Sequence, residues 1–256
     1  MNGKAMNAVE LNKLTVKFGD FAAVKDLTLS VEKGEIFGFL GANGAGKTTA
    51  IRVMCGLLLP TSGDVRIAGL DFSRGKNAIK RKVGYMSQKF TLYDDLTVLE
   101  NLNFKASMRK IPDETAKQRF EQIFDFIGFN SGQNTMVREL ASGVKQQVSL
   151  AATLVHNPEI LFLDEPTSGV SPAMRAKFWL LIRKLAAEGK TVFVTTHYMD
   201  EAEECDRIAL MRAGKLIALR SPQQLKDETY PSGMPLSGKK PTLEDVFIKL
   251  VEGDER

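Results

Sequence analysis

The chain has 256 residues, 43% hydrophobic and 26% charged, with 35 Lys and Arg against 31 Asp and Glu. That length and apolar content can bury a sizeable core and exclude wholesale disorder. The formal net charge of +4 is mild and reads as a solvated, slightly basic surface.

Cys55 and Cys205 match no zinc-ligand spacing, and two cysteines make no disulfide scaffold, so a reduced, cytosolic protein is expected. No stretch approaches the ~20 apolar residues that cross a bilayer. The opening Met1-Asn2-Gly3-Lys4-Ala5-Met6-Asn7 lacks the apolar run of a secretion signal, and Met6 offers an alternative start.

Along the chain, Val9, Leu11 and, after a slip, Leu14, Val16 and Phe18 alternate with polar residues; Leu27, Leu29 and Val31 repeat the period of two. This predicts antiparallel strands with one buried face. Ile36-Phe37-Gly38-Phe39-Leu40 is a short apolar run of the kind buried on both faces of a parallel sheet. A glycine-rich loop follows, then a helix from about Thr48 to Leu57. Strands are expected at Val65–Ala68 and Val83–Met86. Thr97-Val98-Leu99-Glu100 has capping-box spacing and opens a helix toward Met108. Asp113 to Ile127 sets Phe120, Ile123, Phe124 and Ile127 on one face, and Gly128 ends that helix.

Alternation of helix and strand then resumes. Helices are expected at Val144–Val155, Pro172–Ala187, Met199–Glu204 and Leu243–Leu250, and strands at Ile160–Leu163, Thr191–Thr195 and Ile208–Met211. Residues Thr229 to Pro241 hold three Pro and two Gly and read as a loop. The whole is an α/β chain interrupted by a helical insertion.

Gly41-Ala42-Asn43-Gly44-Ala45-Gly46-Lys47-Thr48 matches the phosphate-binding P-loop pattern. Glycines let such a loop curl so that backbone N–H groups face phosphate oxygens, and the next helix adds the positive end of its dipole. Lys47 can neutralise β/γ-phosphate charge and the Thr48 hydroxyl can ligate Mg²⁺. The expected strand before and helix after it separate this match from a chance turn. Ile160-Leu161-Phe162-Leu163-Asp164-Glu165 puts two carboxylates at the C-terminal end of a buried strand, where open α/β sheets bind ligands. Asp164 is placed to hold the metal's water shell and Glu165 to orient or polarise an attacking water. Glu139-Leu140-Ala141-Ser142-Gly143-Val144-Lys145-Gln146-Gln147 is a small-residue turn into a helix, either an anion site or an ordinary helix start. His197 follows another strand end.

From about Val9 to Leu219 this order resembles the ATP-binding subunit of ABC transporters. The resemblance implies a P-loop NTPase fold of the ABC-ATPase kind, with a mixed core sheet, an N-terminal antiparallel β-subdomain and the helical insertion. The ATPase domain would cover residues 7–225, its helical subdomain about 90–157, and a short extension 226–256. ATP would be held by Phe18, stacked on adenine, and by Gly41, Ala42, Asn43, Gly44, Ala45, Gly46, Lys47, Thr48 and Thr49. Gln88 in Tyr85-Met86-Ser87-Gln88 falls at the Q-loop, and Glu165, His197 and Gln88 at catalytic positions. Thr48, Gln88 and Asp164 fall at the Mg²⁺ site. Ala141, Ser142, Gly143 and Val144 fall at the signature that completes a partner's ATP site. The partners implied are a second ATP-binding subunit, expected as a homodimer, and a separate transmembrane permease; no nucleic acid is expected. The chain would then be cytoplasmic and peripheral on the inner membrane through that permease. The tail Pro241-Thr242-Leu243-Glu244-Asp245-Val246-Phe247 and Glu165-Pro166-Thr167-Ser168-Gly169-Val170 resemble ABC-2 type exporters of the multidrug efflux branch.

Two departures stand out. The usual signature is Leu-Ser-Gly-Gly-Gln, and ungapped alignment on Lys145-Gln146-Gln147 puts Ala141 at the serine and Ser142 at the first glycine. The D-loop Thr167-Ser168-Gly169-Val170-Ser171 ends in Ser where the family usually has Asp. Beside the transport ATPase stand two other readings: a low-turnover nucleotide-binding regulatory subunit, motivated by the altered signature, and a soluble non-transport ABC ATPase. The latter usually carries two cassettes or a long coiled-coil insertion, and neither is seen here.

Overall fold

A computed structural model describes residues 7–230 and 240–252. The alternative start at Met6 and residues 231–239 of the expected loop lie outside them.

Strands β1 (Asn7–Phe18) and β2 (Phe21–Glu32) form an antiparallel hairpin, as the alternation predicts. The slip after Leu11 is a bulge: Lys13 takes φ 50° and the register shifts before Leu14. The extra residue returns Leu14 and Val16 to the buried face. Phe18 does not join them and remains 53% exposed.

Strand β3 (Ile36–Leu40) is fully buried and leads into helix α1 (Lys47–Met54). That helix stops three residues short of the expected Leu57, because Gly56 takes φ 68° and turns the chain. Strand β4 (Ser62–Ile67) pairs with the free edge of β1, giving a three-stranded sheet of order β2-β1-β4.

A short basic helix α2 (Lys76–Lys82), not foreseen, precedes β5 (Val83–Met86). Helices α3 (Val98–Met108), α4 (Asp113–Ile127) and α5 (Ser142–Leu154) then form the insertion. Thr97 and Glu100 make the expected capping box, and Gly128 ends α4 in the left-handed region. Strand β6 (Ile160–Asp164), helix α6 (Pro172–Ala187), strand β7 (Thr191–Thr196), helix α7 (Met199–Ala202) and strand β8 (Arg207–Arg212) follow. Strand β9 (Lys215–Arg220) was not foreseen; it pairs antiparallel with β8 at the sheet edge. The six-stranded order is β5-β6-β7-β3-β8-β9, with β5 to β8 parallel. The chain ends in α8 (Pro222–Thr229) and α9 (Leu243–Glu252). The expected domain boundary at 225/226 falls inside α8.

The parallel strands serve two cores at once. Ile36, Leu40, Leu161, Leu163, Val192 and Val194 face the helical insertion and α6. Phe37, Phe39, Ile160, Phe162 and Phe193 face α1 and the antiparallel sheet. The rings of Phe37 and Phe162 lie 5.0 and 4.8 Å from that of Phe193 and fix the strands on that side. The doubled burial explains why these strands read as unbroken apolar runs. Their parallel run places the loops after β3, β5, β6, β7 and β8 on one edge of the sheet.

Candidate active site

The glycine-rich loop sits where β3 meets α1, and its shape requires glycine. A Cβ on Gly41 (φ 152°) would lie 2.3 Å from the Met211 carbonyl oxygen, and one on Gly46 (φ 100°) 2.4 Å from that of Ala23. The loop is therefore gripped by β8 on one side and β2 on the other. Ala42, Asn43 and Gly44 are exposed at its mouth. Lys47, only 5% exposed, donates from Nζ to the carbonyls of Gly41 at 2.6 Å and Ala42 at 3.1 Å. Burial lowers its pKa from the ordinary lysine value, partly offset by the negative charges of Glu165 and Asp164.

Asp164 ends β6 and is buried. It accepts hydrogen bonds from Thr195 Oγ1 at 2.7 Å, Thr48 Oγ1 at 3.3 Å and Tyr85 Oη at 3.3 Å. Desolvation and the Asp164 charge together push the Tyr85 phenol up to about 12. Glu165 takes φ 50°, an uncommon conformation for this residue type. Its amide is held by Thr195, donating to Oγ1 at 2.8 Å and to the carbonyl at 3.2 Å. Its carboxylate accepts from Gln88 Nε2 at 3.0 Å and lies 3.5 Å from His197 Nδ1.

The loops after four strands thus bring together Lys47, Thr48, Gln88, Asp164, Glu165 and His197. Thr195 and Tyr85 were given no role by the sequence, though each is a direct partner of Asp164. For Thr195 the missing signal was register: it pairs with Asp164 across β6 and β7.

Other candidates stand apart. Phe18 lies at the tip of the β1–β2 hairpin, whose second strand passes the P-loop at Ala23. Ala141 is the N-cap of α5 and makes no side-chain cap bond. Helix α5 begins at Ser142, two residues before the expected Val144. Among the described residues, Ala141, Ser142, Gly143 and Val144 make no hydrogen bond to the P-loop, Asp164 or Glu165. Gly143 instead packs on α6, since a Cβ there would meet Met174 Cγ at 2.8 Å. Ser171 caps α6, accepting weakly from the Met174 amide at 3.4 Å, so its departure from Asp costs the helix little. In the tail, Phe247 lines a cavity of about 390 Å³ together with Ala42 to Ala45 of the P-loop.

The donor set suits a small hard cation. A hydroxyl, a carboxylate and a side-chain amide offer oxygen, and the Thr48 and Asp164 oxygens already converge.

The family model described as ABC transporter matches residues 24–168, more than half of the chain. The chain belongs to the ABC transporter family. The cassette is 45% identical over 243 residues to the probable multidrug ABC transporter ATP-binding protein YbhF of Escherichia coli (strain K12). That match covers 95% of this chain but only 41% of YbhF, so the cassette spans less than half of that relative. It is 35% identical to the daunorubicin resistance ATP-binding protein DrrA3 of Streptomyces coeruleorubidus, over 88% of this chain and 72% of that one. Among solved structures it superposes with a TM-score of 0.75 on the dimeric post-hydrolysis state of the ATP-binding cassette MJ0796 bound to ADP and Pi. Identity there is 28%, and coverage is 83% of this chain and 98% of that one. The likeness supports the expected ABC-ATPase fold, with its antiparallel sheet and mixed core sheet.

Proposed function

We propose that the cassette hydrolyses ATP and, paired with a second cassette, drives export through a separate ABC-2 type permease. The observation that carries this is the Glu165 carboxylate, held between Gln88 and His197 and next to Thr48, Asp164 and the P-loop. The P-loop amides and Lys47 bind the phosphates, and Phe18 offers an exposed ring for the adenine. Glu165 orients a water and takes its proton as oxygen attacks the γ-phosphorus. The bond from that phosphorus to the β–γ bridging oxygen breaks, releasing ADP and phosphate. His197 holds the γ-phosphate oxygens in place while charge builds on them. Mg²⁺, held by Thr48, Asp164 and Gln88, would supply electrostatic stabilisation of the β- and γ-oxygens. Phosphate release from Mg-ATP by the purified chain, alone and with its membrane partner, tests the reading directly.

A second cassette belongs to this reading because the signature at the start of α5 falls, by the family resemblance, at a partner's ATP site, and it makes no hydrogen bond to its own P-loop among the described residues. Restoring it with Ala141→Ser plus Ser142→Gly should do two things. Serine at the N-cap adds the missing cap bond, worth about 0.5–2 kcal/mol. It also returns a transition-state donor, and turnover should rise by up to ~10²- to 10³-fold where that donor is fully engaged. A higher melting temperature with unchanged phosphate release would show that Ser142 already fills the second role.

The permease surface is proposed next to Gln88. Asn101, buried on α3, accepts from the Tyr93 amide at 2.8 Å and donates to the Tyr93 carbonyl at 3.0 Å. That clamp buries Leu92 and leaves Tyr93 51% exposed, edge-on against the exposed Phe104. Leu92 therefore pins the loop, while Tyr93 and Phe104 face outward. Tyr93→Ala should leave ATP affinity intact and weaken membrane association by ~2 kcal/mol or more. Flotation at parental levels with partner-containing membranes would rule this surface out.

A further inference from the structure

The Glu165 carboxylate meets Gln88 and His197. His197 is 40% exposed and meets Glu165 from the start of a loop. What steadies its ring is a stack. The Tyr198 ring lies 4.2 Å from the imidazole, tilted by 35°. On Tyr198 lies the guanidinium of Arg175, its Cζ 4.0 Å from the ring centroid. Arg175 belongs to the first turn of α6, just after the D-loop.

The pose of Arg175 is informative because it forgoes a bond. Its Nε is buried without a hydrogen bond, although Glu201 Oε1 is 3.4 Å away. Glu201 is itself buried, and its carboxylate already accepts the hydroxyls of Thr167 and Thr196. Nη1 donates to Asp200 Oδ2 at 3.2 Å from the exposed side. The two acids hold the charge over the Tyr198 ring, and a guanidinium has separate nitrogens to face both acids from that place where an ammonium has one. Thr196 adds a further tie, accepting from the Tyr198 amide at 3.0 Å.

We infer that Arg175 and Tyr198 are positioning residues for His197, a cation–aromatic stack that fixes the imidazole against the catalytic carboxylate. The inference rests on the hydrolytic reading above, in which His197 holds the γ-phosphate. Neither residue touches nucleotide on this view. Loss of the stack should lower kcat without weakening ATP binding.

The test uses the full chain carrying Tyr198→Leu, Tyr198→Phe, Arg175→Lys or Arg175→Met, with kcat, the Kd for ATP and the melting temperature measured for each. Displacing a reacting group by about an ångström costs up to ~10²-fold. Tyr198→Leu and Arg175→Lys should therefore lower kcat by roughly 10- to 10²-fold at unchanged Kd. Tyr198→Phe, which keeps the ring, should restore most of the rate. If Arg175→Lys destabilises the fold, Tyr198→Leu against Tyr198→Phe still isolates the stack. Equal rates for leucine and phenylalanine at position 198, or a kcat loss matched by a loss of ATP affinity, would overturn the proposal. A parent chain whose turnover does not depend on Glu165 would overturn the hydrolytic reading first, and this inference with it.

Discussion

Glu165→Gln is expected to cut phosphate release by about 10²- to 10⁴-fold while leaving Mg-ATP affinity within a few fold of the parent. The amide keeps the size of the carboxylate, and its oxygen can still accept from Gln88 Nε2, which lies 3.0 Å away in the parent. What it loses is the capacity to take a proton from water. The backbone at position 165 is tied twice to Thr195 and should not move. With hydrolysis blocked, ATP should hold two chains together, visible as a dimer by size-exclusion chromatography in Mg-ATP. A variant that turns over at the parental rate would remove Glu165 as the base. One that is inactive yet monomeric would count against the paired-cassette reading alone.

Lys47→Ala should weaken ATP binding by at least ~10- to 10²-fold, since charge-assisted hydrogen bonds contribute about 1.5–3 kcal/mol each. In the ligand-free loop the same ammonium donates to the Gly41 and Ala42 carbonyls. Its removal deletes those bonds but also relieves a buried charge. The two effects oppose each other, so folding stability should shift by about 1 kcal/mol or less, roughly 2–4 °C in melting temperature. Isothermal titration and thermal unfolding on one preparation separate the two quantities. Parental affinity would sink the P-loop assignment; a collapse of the melting temperature would show Lys47 to be chiefly structural.

The parts of the fold legible in the sequence were those whose signal is local. Helix α4 announced both ends through its apolar face and Gly128, helix α6 through Ser171 and Pro172, and β5 through its four residues. The P-loop and Asp164-Glu165 were legible because each carries its chemistry within a few adjacent residues. The misses depend on partners distant in the chain. Strand β9 alternates only between half-buried and exposed positions and becomes a strand by pairing with β8. Helix α2 buries a single side chain, Ile79, so its pattern is too thin to read. Thr195 and Tyr85 matter because parallel register sets them beside Asp164, and register is not written in either segment alone. Arg175 reads as an ordinary helix charge until Tyr198 is brought beneath it.

The glycines of the P-loop carry a consequence beyond phosphate. Gly41 lies against β8 of the six-stranded sheet, and Gly46 against β2 of the three-stranded one. The loop is thus the seam along which the two sheets meet, beside the core that they share. A phosphate chain gripped there would behave as a rivet as well as a ligand. Any rocking of one sheet against the other would have to reshape the cradle, so the mechanical stiffness of the cassette and its hold on nucleotide are the same property.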